Sequence, residues 1–279
     1  MFTRERAIGI MVASLLGVVA FVYGVRSLEW HMTFHPVPLD RLRRQPPDGA
    51  SEVWFTSVDG IRLHGWFFEN RTNPETTTII FFHGNTGNIR DVDWVGQRLY
   101  ERGFNVLLFD YRGYGASEGD VEHETGLYAD GDAALAFVTK EKGVAPEKVV
   151  LYGQSLGTTV VADIASRRQV GAVILESGLS SASSLAGHAL PWLPQRLHFL
   201  GKNRFESAQK LAKVKAPVLI AHGDPDPVIP ASEARLLFAA ANEPKRLLIF
   251  PGAGHNVFGS LGDLYLTQIA AFIGEATVR

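Results

Sequence analysis

The chain of 279 residues is 46% hydrophobic and 20% charged, which suits one domain of about 250 residues with a large core and a short extra segment. Its 27 Lys and Arg against 29 Asp and Glu give a formal net charge of -2. There is no basic excess to displace counterions from a nucleic acid, so no nucleic-acid partner is expected. The absence of cysteine excludes disulfides, thiolate nucleophiles and Cys-based metal sites together, and leaves the compartment open.

Residues 7–25 (AIGIMVASLLGVVAFVYGV) carry no charge. As a helix they span about 28 Å, close to the roughly 30 Å hydrocarbon core of a bilayer. The run is longer than the apolar part of a cleaved signal peptide, and Val22 and Gly24 make a weak cleavage pattern. Residues 1–26 therefore read as an uncleaved single-pass anchor. Arg4 and Arg6 favour the N-terminus inside, while Arg26, Arg41, Arg43 and Arg44 pull the other way. Large domains translocate regardless of such charges, and the domain is expected outside the cytoplasm. Residues 27–50 read as a linker, because Pro36, Pro38, Pro46 and Pro47 forbid a long helix there. Within it, Trp30, His31, Phe34 and His35 suit either a membrane interface or packing on the domain.

From residue 51 to 279 the chain reads as one domain. Segments 53–57 and 61–68 form a β-hairpin around Asp59-Gly60. Apolar runs follow at 78–82, 106–109, 149–152, 172–175, 218–221 and 247–250, as expected of strands buried on both faces. Helical patterns at 89–101, 127–140, 156–167, 233–241 and 264–272 lie between them. That alternation predicts a mostly parallel central sheet with helices on both faces, an α/β architecture. Residues 180–215 break the rhythm. Their Leu185, Leu190, Trp192, Leu193, Leu197, Phe199 and Leu200 suggest a short helical cap over the strand ends.

In such sheets ligands bind beyond the carboxyl ends of the strands. His83-Gly84-Asn85, Asp110, Ser155, Glu176, the 222–226 stretch and His255 all fall at that edge. Gly153-Gln154-Ser155-Leu156-Gly157 matches G-x-S-x-G between a strand and a helix, the context that exposes a serine Oγ on a strained turn. Gly115-Ala116-Ser117-Glu118-Gly119 matches too, but sits in a glycine-rich loop that leads to an acidic segment. Ser155 is therefore the expected nucleophile.

A neutral serine needs a base, and the base needs an orienting acid. Among nine histidines, His255 sits in a loop, GAGHN, between the last strand and the last helix, and is the expected base. Asp226 is the expected acid. Asp224, in the same HGDPDPVIP loop, and Glu176 are the alternatives, with unused carboxylates serving as turn and helix caps. An oxyanion hole would use the N–H groups of Leu156 and Asn85, with His83 bracing its loop. His83, His222, Asp226 and His255 lack a metal-ligand spacing such as H-E-x-x-H, so neither a metal nor a cofactor is expected.

The motifs FFHGNTGN (81–88), DYRGYGASEG (110–119), YGQSLG (152–157), APVLIAHGDPDPVIP (216–230) and GAGHN (252–256) resemble, in that order, those of the α/β-hydrolase superfamily. The chain is similar to membrane-anchored members related to depalmitoylases and to peptidase-like and monoacylglycerol-lipase-like hydrolases. The resemblance implies the α/β-hydrolase fold and supports Asp226, because the triad acid usually stands two residues before Val-Ile-Pro. A serine nucleophile argues against dehalogenase or epoxide-hydrolase activity. The expected activity is hydrolysis of a small-molecule ester or thioester, or of an acylated or lipid substrate. Amide or peptide cleavage on the same triad is the alternative, and a non-catalytic binding protein the bland one.

Overall fold

The computed structural model describes residues 4–40, 45–73, 76–189, 191 and 201–277. Helix α1 (Arg4–Thr33) precedes strands β1 (His35–Pro36), β2 (Ala50–Thr56), β3 (Arg62–Phe68), β4 (Thr78–Phe82) and β5 (Thr86–Gly87). Then come α2 (Asp93–Glu101), β6 (Asn105–Phe109), α3 (Glu124–Ala136), β7 (Val149–Gln154), α4 (Gly157–Ala165) and β8 (Ala172–Glu176). The chain ends with α5 (Ala182–Ala189), α6 (Ser207–Leu211), β9 (Val218–Asp224), α7 (Ala231–Ala240), β10 (Lys245–Pro251), α8 (Val257–Leu261) and α9 (Asp263–Thr277).

Eight strands form one sheet in the order β10-β9-β8-β7-β4-β6-β3-β2. The hairpin β2–β3 is antiparallel and β3 joins β6 antiparallel; every other pairing in this sheet is parallel. The hairpin turns where Asp59-Gly60 predicted it, with Gly60 at φ +87°, a value that suits glycine. The parallel strands read as unbroken apolar runs because both faces are covered. Alternation then sorts the side chains. Ile80, Phe82, Leu151 and Ile220 meet α3, α4 and α7 on one face, whereas Ile79, Phe81, Val150 and Leu219 meet α2, α8 and α9 on the other. Each fully buried side chain of this size contributes about 1.5–3 kcal/mol, so neither layer is dispensable.

The strand order positions the site. From β4 the chain goes to β6 on one side and then crosses to β7 on the other. The loops leaving β4 and β7 therefore diverge side by side at this switch point, the place where ligands bind in such sheets.

At the N-terminus, α1 does not stop at Arg26 but continues to Thr33. Residues 8–33 are long and apolar enough to cross a membrane, and none of the apolar window is buried. The last turn behaves differently. Trp30 Nε1–H donates to Val121 O at 2.7 Å, and Phe34 is only 1% exposed. Of the two readings of the aromatic cluster, these two residues take the packed one. The segment predicted as a linker is tied down over 35–39: β1 runs parallel to β5, and Pro38 bridges to Gly115. Arg41, Arg43 and Arg44 lie outside the described residues. So do Leu190, Trp192, Leu193, Leu197, Phe199 and Leu200 of the expected cap, whose described flanks are α5 and α6.

Candidate active site

Ser155 stands on the turn between β7 and α4 at φ +53°, in the left-handed region that a residue with a Cβ rarely adopts. Two glycines make that turn possible. A Cβ on Gly153 would fall 2.6 Å from the Gly157 backbone, and one on Gly157 would fall 2.0 Å from Phe82 O. The strained residue is held by its neighbours. Ser155 N–H donates to Glu176 O at 2.8 Å, while Ser155 O accepts from Thr158 N at 3.0 Å and Thr158 Oγ1 at 2.6 Å.

His255, on the loop between β10 and α8, reaches across to this turn. Its Nε2 lies 3.0 Å from Ser155 Oγ, and its Nδ1 lies 2.8 Å from Asp226 Oδ2. Because the carboxylate can only accept, Nδ1 carries the proton and Nε2 is left to accept from the serine hydroxyl. The Asp226 carboxylate is itself immobilised: Oδ1 accepts from Val228 N at 2.8 Å and Ile229 N at 3.0 Å. His222, whose Nε2–H donates to Ile229 O at 2.9 Å, also lies 3.2 Å from Asp226 Oδ2. Burial raises the Asp226 carboxyl. The hydrogen bonds from His222, His255 and the two amides outweigh burial and hold it well below the ordinary carboxylate range.

The other two candidate carboxylates are placed differently. Asp224 is exposed at the end of β9. Glu176 is fully buried beneath the Ser155 turn, where it accepts from Tyr152 OH, from Gln154 Nε2 at 2.9 Å and from Phe258 N at 3.2 Å. Burial pushes its pKa up against those hydrogen bonds. It thus ties β7 and β8 to the start of α8, beside both Ser155 and His255, a role its position in the sequence did not reveal. Ser117 is likewise structural: its Oγ donates to Asp110 O at 2.7 Å and accepts from His64 N at 2.9 Å.

The loop after β4 lies against Ser155. A Cβ on Gly84 would sit 3.6 Å from Ser155 Cβ. His83 is buried, and its Nδ1–H donates to Gly84 O at 2.8 Å. Burial lowers its pKa more than nearby Asp110 raises it, which keeps the ring neutral. This bond fixes the peptide plane between Gly84 and Asn85, the plane to which Asn85 N–H belongs. Leu156 follows Ser155 at the start of α4. A hydroxyl hydrogen-bonded to an oriented imidazole, beside two backbone loops, can accept an acyl group and pass it on. Among the described residues no group of three or more His, Asp or Glu is arranged to hold a metal ion.

Comparison with known proteins agrees with this architecture. The family described as serine aminopeptidase, S33, matches residues 73–207. The chain is 32% identical to the α/β-hydrolase domain-containing protein WAV2 of Arabidopsis thaliana, over 92% of this chain and 89% of that one. It is 35% identical to the human α/β-hydrolase domain-containing protein 17B, over 82% of this chain and 77% of that one. The Pyrococcus furiosus esterase Pf2001 shares the fold with a TM-score of 0.67 at 18% identity, covering 88% of this chain and 98% of that chain. The protein belongs to the α/β-hydrolase superfamily.

Proposed function

We propose that the protein is a membrane-anchored serine hydrolase that cleaves a carboxylic ester or thioester through an acyl-enzyme. The observation that carries the reading is the unbroken chain from Ser155 Oγ through His255 to Asp226, with links of 3.0 and 2.8 Å. Ser155 Oγ attacks the acyl carbon and its proton passes to His255 Nε2. The carbonyl oxygen, now an anion, is held by the N–H groups of Leu156 and Asn85. The C–O or C–S bond then breaks, and His255 returns the proton to the leaving alcohol or thiol. Water, deprotonated by His255, hydrolyses the acyl-serine in a second addition and elimination. Asp226 keeps the imidazole in the tautomer this requires and stabilises its cation. None of these steps requires a metal or cofactor.

Esterases such as Pf2001 share the fold, which favours ester over other acyl substrates as the starting point. The exposed apolar surface of α1 favours an anchor, and an anchored site suits an acylated or lipid substrate. An extracytoplasmic domain is the orientation proposed, which protease protection in sealed vesicles would test. The test of the chemistry is hydrolysis of p-nitrophenyl esters of increasing chain length by the detergent-solubilised full chain. An initial burst of p-nitrophenol is expected from acyl-enzyme accumulation. Cleavage of acetate alone would defeat the acylated-substrate part, and no turnover of any ester would defeat the whole.

A second reading, cleavage of an amide or peptide on the same three residues, is favoured by the serine aminopeptidase family match. Aminoacyl anilides hydrolysed faster than esters would select it.

A further inference from the structure

We infer that residues 34–37, which leave the N-terminal helix, are a positioning element of the site: they hold the loop that carries Asn85 N–H. The inference deepens the reading above, since it rests on that N–H being an oxyanion donor. The loop 83–88 contains two glycines, and a glycine-rich backbone does not hold one orientation without outside support. That support comes from the segment that leaves the N-terminal helix. His35 N–H donates to Asn85 O at 2.9 Å and Val37 N–H to Gly87 O at 3.3 Å. Asn88 Nδ2 returns a bond to Val37 O at 3.1 Å. A second donor to Asn85 O is Tyr114 OH, at 2.9 Å. With His83 bonded to Gly84 O, the peptides on both sides of Asn85 are fixed.

A two-residue strand has little stability of its own, so the strap needs anchoring at its own root. Phe34 is buried in the core, and its ring lies 6.5 Å from that of Phe205. Trp30 is bonded to Val121 O. The preceding residue, Glu29, accepts from the amides of Lys202 at 2.5 Å and Asn203 at 2.7 Å. The end of α1 is therefore fixed to the domain, and the strap leaves it directly toward the oxyanion loop. A donor that must already be aimed when charge develops on the substrate oxygen gains most from such fixing.

The test uses the full chain in detergent or nanodiscs. His35→Pro removes the N–H that meets Asn85 O, whereas His35→Ala alters only an exposed ring and keeps the N–H. Val37→Pro, between two existing prolines, with Val37→Ala as control, is the second pair should His35→Pro fail to fold. The proline variants are expected to lose about tenfold in kcat against their alanine controls, with KM little changed. That is less than the roughly 10²–10³-fold loss of a whole oxyanion donor. Hydrogen exchange of the 84–88 amides is expected to accelerate. Folded proline variants with the kcat of their controls, or with unchanged exchange, would overturn the inference. Accelerated exchange in the proline variants, with a parent chain that turns over no ester, would instead overturn the reading of the site, and with it the catalytic meaning of the strap.

Discussion

Two pentapeptides in this chain match G-x-S-x-G, and the fold sets them in opposite surroundings. Ser155 stands at φ +53° between a strand and a helix, with an imidazole nitrogen 3.0 Å from its hydroxyl. Ser117 lies in a loop where glycines take the positive angles, Gly115 at +56° and Gly119 at +76°, and its hydroxyl is spent on two backbone groups. The glycines differ in purpose as well. At Gly153 and Gly157 the room is needed because strand, turn and helix backbones nearly touch. At Gly115 it is needed because Asp110 Oδ2 would lie 1.8 Å from a Cβ. A short pattern is therefore only as informative as the elements on either side of it.

The contrast is sharpest in turnover. Ser155→Ala is expected to cost about 10⁴-fold or more in kcat, while Ser117→Ala leaves ester hydrolysis near that of the parent. Steady-state rates on the ester that the parent cleaves best would check this, and a comparable loss in Ser117→Ala would erase the distinction. Next comes the acid. Asp226→Asn leaves the imidazole without its oriented acceptor, for an expected loss of about 10⁴-fold. Exposed Asp224→Asn should leave kcat unchanged. If Asp224→Asn were the damaging substitution, the assignment would have to be exchanged.

Stability should invert the ranking of the serines. Removing the Ser117 hydroxyl strands Asp110 O and His64 N, at a cost of about 1–3 kcal/mol. Ser155→Ala removes only the bond to His255 and should cost less. Denaturant unfolding of the full chain in detergent, read in both variants, checks the order.

The smallest effect is on pH dependence. Because the folded Asp226 pKa is depressed, its contribution to stability is fully present above the unfolded value of about 4. It is lost as pH falls through the folded value. The stability gap between the parent and Asp226→Asn should therefore be constant above about pH 5 and shrink toward acid. A gap that widened toward acid would contradict a depressed Asp226 pKa.

Much of this was legible in the residues. Buried strands announce themselves as apolar runs, so β4, β6, β7, β8 and β9 could be located within a residue or two, although β9 runs on to Asp224. The strand–turn–helix context separated Ser155 from Ser117. What stayed hidden depends on contacts between distant segments. The pairing of His35–Pro36 with Thr86–Gly87 involves two residues on each side and leaves no periodicity to read. Prolines at 36 and 38 looked like a linker because they forbid helix, yet they are compatible with an extended edge. Glu176 read as an alternative triad acid because nothing local tells which backbone amide, 82 positions away at Phe258, it will meet. His222 likewise gave no local sign that it would share Asp226 with His255.

The most direct measurement is treatment of the full chain with a fluorophosphonate probe, followed by mass spectrometry of the labelled peptide in the parent, Ser155→Ala and Ser117→Ala. Label is expected on Ser155 in the parent and in Ser117→Ala, and none in Ser155→Ala. Label on Ser117, or a folded parent that takes no label, would contradict it.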